Sequence, residues 1–168
     1  MNNEEGASYL KKIMMLVFVL LLAACSSDDS ESKVALNPSD AVAFEIVQYA
    51  DKIAPVYAGL VPTIAYAQTQ GQFDVLKERF GLGEKDFTVD MENNVVAFVV
   101  SYSGSCSIAV DSVYNDDNML AVKLVEPQND SCEPTQEEHT FVISTPKEAY
   151  ERAQLYNGEV IKASIEAQ

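Results

Sequence analysis

The run Val95-Val96-Ala97-Phe98-Val99-Val100 restricts the fold more than any other stretch of this chain. Six consecutive apolar residues between polar neighbours leave a strand with no face to give to water. The segment from Asn94 to Tyr102 is therefore expected to be a central strand, covered on both faces, and the rest of the chain must supply the covers.

One cover is a helix. Thr69 and Gln72 have the spacing of a capping box, Phe73, Leu76 and Phe80 recur on one face, and Gly81 and Gly83 supply the stop. Other strands flank the run. Ala41 to Tyr49 is read as a strand, and Thr63 to Ala67 as a short one before the helix. Ile108 to Tyr114 and Met119 to Val125 flank Asn115-Asp116-Asp117-Asn118, whose composition is that of a hairpin turn. Thr140 to Ser144 adds a further strand, Pro146 opens a short turn or helix, and Glu159 to Ile165 closes the sheet. The expected class is α+β: mainly antiparallel β-sheet, as a small sandwich or a partly open barrel, with one supporting amphipathic helix.

The N-terminal region reads differently. Lys11-Lys12, the apolar run from Ile13 to Leu22 and the sequence Leu22-Ala23-Ala24-Cys25 have the form of a bacterial lipoprotein signal peptide. The apolar stretch is too short for a transmembrane helix, which needs about 20 residues. Cleavage after residue 24 would leave Cys25 as a lipid-bearing N-terminus, and two or three acyl chains anchor far more firmly than one. Ser26 to Ser39 is polar and has almost nothing to bury, as a tether does. The organisation expected is a signal peptide at 1–24, a lipidated tether at 25–39 and one globular domain at 40–168. The localisation that follows is the bacterial cell envelope, at the outer membrane if the host is Gram-negative.

The formal net charge of −15 opposes phosphate recognition, so nucleic acid is not expected as a partner. It also repels anionic head groups, which leaves membrane attachment to the lipid on Cys25. With Cys25 assigned to lipid, Cys106 and Cys132 remain, and an even pair in an exported protein is expected to form a disulfide. Closing that loop restricts the unfolded chain by roughly 3–4 kcal/mol in the loop-entropy model.

Catalytic and metal-binding patterns are weak. Asp111, Asp116, Asp117 and Asn118 lack the ordered oxygens and terminal Glu of an EF-hand loop. In Glu137-Glu138-His139 adjacent residues on a strand point to opposite faces, and there is no second histidine. Ser103-Gly104-Ser105-Cys106-Ser107 offers nucleophiles without the Gly-x-Ser-x-Gly elbow. No cofactor and no catalytic residues are expected.

The same stretches resemble the C-terminal domain of PrcB-type protease-complex lipoproteins. Thr63-Ile64-Ala65-Tyr66 leads to the helix with Phe73 and Leu76, and Val89-Asp90-Met91 precedes Val95-Val96-Ala97-Phe98. Gly104-Ser105-Cys106 falls where that family has a Gly-Gly-Tyr turn, and Phe141-Val142-Ile143-Ser144-Thr145-Pro146-Lys147 matches its closing strand. The similarity runs from about Phe44 to Lys147 and implies a non-catalytic accessory subunit that stabilises a separate exported protease. Here a cysteine stands where that family has tyrosine.

The function expected is that of an envelope lipoprotein that binds or stabilises another envelope protein. Its expected contact surface is the acidic loop from Glu126 to Glu138 with the glycine turn: Gly104, Ser105, Glu126, Asp130, Glu133 and Glu137. A small-ligand-binding module and a weak hydrolase centred on His139 are the alternatives.

Overall fold

The computed structural model describes residues 35–52, 54, 61–103, 107–126 and 137–166. They form two sheets, one α-helix and a short 3-10 turn at Pro38–Asp40. Sheet one has the order β1-β5-β6-β8-β9 and sheet two the order β2-β7-β4-β3. The strands are β1 (Ala41–Val42), β2 (Glu45–Ala50), β3 (Thr63–Ala67), β4 (Asn94–Ser103), β5 (Ala109–Asp116), β6 (Met119–Val125), β7 (Glu137–Pro146), β8 (Arg152–Asn157) and β9 (Val160–Glu166). The helix α1 spans Gln70–Arg79.

β4 is the central strand that its apolar run demands. Between β7 and β3, it buries alternate residues in opposite directions. Val95, Ala97 and Val99 face Val113, Leu120, Val122, Leu124, Ala153 and Leu155 of sheet one. Val96, Phe98 and Val100 pack under Phe73, Leu76 and Phe80 of the helix segment. The two sheets do not close into a barrel, so the architecture is a sandwich with a helix on one outer face.

Local signals explain the element ends. Thr69 Oγ1 accepts the Gln72 amide at 3.3 Å, and Gln72 Oε1 accepts the Gln68 amide at 2.9 Å, so the capping box forms one residue wider than usual. At the other end Gly81 takes φ +68°, with Gly81 N donating to Glu78 O and Leu82 N to Lys77 O, both at 2.9 Å. This is a Schellman stop, in which a left-handed residue satisfies the last carbonyls. Between β5 and β6, Asp117 and Asn118 have φ of 51° and 59°, the left-handed pair that a two-residue hairpin turn requires.

Three details differ from the sequence reading. Ala41 to Tyr49 is not one strand: β1 pairs with β5 in sheet one, and after Ala43 and Phe44 the chain enters sheet two as β2. Phe44 packs into the core between the sheets, and Thr145 Oγ1 donates to Ala43 O at 3.0 Å, which fixes the crossing. β8 was not expected. It lies parallel to β6, with Ala153 and Leu155 entering the inter-sheet core, while residues 147–150 after Pro146 form no regular element. Gly83 has ordinary φ; it sits close against the Glu78 carboxylate, leaving Gly81 as the residue that stops the helix.

Candidate functional site

The antiparallel register of β4 and β7 places Ser101 opposite His139 and Ser103 opposite Glu137. Ser101, Ser103, Glu137, His139 and Phe141 therefore share the face that turns towards sheet one. β2 lies on the other side of β7 and sets Tyr49 opposite Phe141. A polar group thus forms at one end of the sandwich interior, where the apolar alternation of β4 gives way to serine.

His139 is 4% exposed and bonded at both ring nitrogens. Its Nδ1 lies 2.8 Å from the Tyr49 hydroxyl and its Nε2 lies 2.7 Å from Ser103 Oγ. The His139 ring stacks loosely on Tyr49 and Phe141, which tilt against each other, with centroids 5.2–6.3 Å apart. Tyr49 and Ser103 together satisfy an imidazole that would be costly to bury alone.

Among the described residues, the charges that act on this ring are carboxylates. Burial holds the His139 pKa below its ordinary value, and Glu137, Asp51 and Glu126 oppose that effect in part. Burial also raises the Tyr49 pKa, with Asp51 and Glu137 adding to it, so the phenol keeps its proton. Glu126 is held at the end of β6 by Asn157, whose Nδ2 donates to Glu126 Oε1 at 2.7 Å. Thr140 Oγ1 donates to Lys52 O at 2.7 Å, which ties the chain beyond β2 to β7.

Chemically, the group has two neutral arrangements. In one, Ser103 donates to Nε2 and Nδ1–H donates to the Tyr49 oxygen; in the other both bonds reverse. Only the first would let His139 act as a base towards Ser103. A catalytic imidazolium is usually oriented and stabilised by a carboxylate, or at least an acceptor, on its second nitrogen. Here a neutral phenol occupies that position, so the geometry suits a satisfied buried histidine better than an activated nucleophile.

Of the residues expected at a contact surface, Glu126 and Glu137 are described: Glu137 starts β7, Glu126 follows β6, and the charge of each opposes the lowering of the His139 pKa. Cys25, Gly104, Ser105, Cys106, Asp130, Cys132 and Glu133 lie outside the described residues, and so does the expected Cys106–Cys132 disulfide. Asp111 is removed from the hairpin tip and pairs with Lys123 at 3.5 Å. Among the described residues, no group of three or more His, Cys, Asp or Glu side chains could hold a metal ion.

The feature that sequence reasoning missed is the exposed face of β2. Ile46 is 43% and Tyr49 45% exposed, although they stand opposite Ile143 and Phe141, which are buried in the inter-sheet core. β2 is the outermost strand of sheet two, so its side of the core remains open to solvent. The period-2 pattern of Glu45-Ile46-Val47-Gln48-Tyr49 would put Ile46 and Tyr49 on opposite faces. A bulge between Ile46 and Gln48 brings them to the same one.

Comparison with protein-family models, with curated proteins and with solved structures yields no match to this chain.

Proposed function

We propose that this chain is a lipid-anchored envelope protein whose domain binds another envelope protein and catalyses no reaction. The observation that carries the reading is the pair of large apolar side chains, Ile46 and Tyr49, left exposed on an edge strand beside a polar, fully bonded interior. Exposed aromatic residues on a rigid strand are the usual anchors of protein contacts. Lipid on Cys25 would hold the domain at the membrane, and the polar stretch from Ser26 to Ser39 would let it reach a partner. An exported protease is the partner class that the PrcB-type resemblance implies, and a Cys106–Cys132 disulfide would brace the acidic loop.

Affinity capture from crosslinked envelopes tests this. The full-length wild-type chain is expected to retain a discrete protein, and the double variant Ile46→Ser, Tyr49→Ser to retain roughly a tenth as much, as when central contacts are removed. Equal recovery by both chains, or recovery no greater than from a lipid-only control, contradicts the proposal.

A further inference from the structure

The exposed edge also carries information about what it binds, on the condition that the binding reading above is right. Ile46 and Tyr49 share a face of β2, and Asp51 lies two residues beyond Tyr49. Glu137 begins β7 on the face of His139, past the end of β2, and Glu126 follows the last residue of β6 in the facing sheet. Asp51 and Glu137 both add to the rise of the Tyr49 pKa, so their charges reach this part of the strip. One strip of surface therefore runs from apolar to anionic along the direction of β2.

We propose that this strip binds an extended segment of a partner protein whose inward face carries apolar residues followed by lysine or arginine. The apolar side chains would cover Ile46 and Tyr49, and the cations would sit against Asp51, Glu137 and Glu126. An extended chain presents alternate residues every ~6.8 Å, which suits a strip laid along a strand. The Tyr49 ring adds a face to which a cation is attracted.

Charge selects this occupant over a second copy of the chain. Antiparallel pairing of two β2 strands would bring Glu45 of one copy towards Asp51 of the other, between chains that each carry a formal charge of −15. The bulge supports the same view. A straight β2 would turn Ile46 and Tyr49 to opposite faces and break the strip.

The test uses the whole chain and two short acetylated peptides in which threonine alternates with Val, Val, Lys and Lys, or with Val, Val, Glu and Glu. Fluorescence anisotropy is expected to show the lysine peptide binding at least roughly tenfold tighter than the glutamate peptide, with the difference shrinking as salt screens the charges. The Asp51→Asn, Glu137→Gln double variant should erase most of that preference, whereas Asp74→Asn, Glu84→Gln, which removes the same charge from exposed positions away from β2, should retain it. Equal affinity for both peptides, or a preference unchanged in the double variant, overturns the assignment. Should the lysine peptide fail while envelope capture still depends on Ile46 and Tyr49, the partner chemistry is wrong and the binding reading stands. If both fail, both are wrong.

Discussion

Phe98→Ala is expected to destabilise the domain by about 3–5 kcal/mol, the range for removing a buried phenylalanine. Phe98 is fully buried in the middle of β4, between Ala65 of β3 and Val142 of β7. Its ring centroid lies 5.8 Å from that of Phe73 and 5.1 Å from that of Phe80, so it is the seat of the helix on sheet two. Truncation would open a cavity between layers that cannot easily collapse, because the strands on both sides of β4 hold it in place. A domain of this kind has a total stability of about 5–15 kcal/mol, so the loss is a large fraction of it. Thermal melting should show a decrease of roughly 10–20 °C. A loss below about 1 kcal/mol would mean that the helix does not cover this face.

The second large effect depends on pH. His139 is buried and its pKa is depressed, so the native state resists the proton that the unfolded chain accepts near pH 6.5. Stability from this group is therefore fully present above about pH 6.5 and declines as the pH falls from there to the folded-state value. One proton sets the limit of the slope, about 1.4 kcal/mol per pH unit. The carboxylates that face the ring, Glu137, Asp51 and Glu126, soften the decline because they favour the imidazolium. His139→Gln keeps a side chain that can bond to Ser103 but removes the titration. Urea unfolding between about pH 7.5 and pH 5 should show a sloping profile for the wild type and a flatter one for the variant. Coincident slopes would contradict the burial of a neutral His139.

These two sites illustrate what was legible in the sequence. The apolar run of β4, the Thr69 cap, the Phe73 and Leu76 stripe and the two-residue turn at Asp117-Asn118 are local patterns, and each forms the element that its pattern specifies. β8 was hidden because its pairing with β6 is parallel and crosses a long connection, and a six-residue segment carries little local signal for that. The split at Ala43 and Phe44 was hidden for a related reason. An apolar stretch does not reveal which of two sheets each half will join.

The candidate site was less legible than the fold. The expected acidic contact surface includes Glu126 and Glu137, and the charges of both act on His139 from just after β6 and from the start of β7. Ser103 and Tyr49 were not recognised as its bonding partners. Each lies on a different strand from His139, and the bulge at Val47 decides the face on which Tyr49 stands. No periodicity in β2 announces a bulge, since the extra residue is accommodated only in the pairing with β7.

The claim that β2 is the working surface can be tested without knowing the partner. A photo-crosslinking amino acid placed at Tyr49 in the whole chain, and separately at the more exposed but distant helix position Val75, would be activated in intact cells. The account predicts a discrete higher-mass adduct with a protein from position 49 and none from position 75. Absence of an adduct at position 49, or the same adduct from both positions, would contradict it.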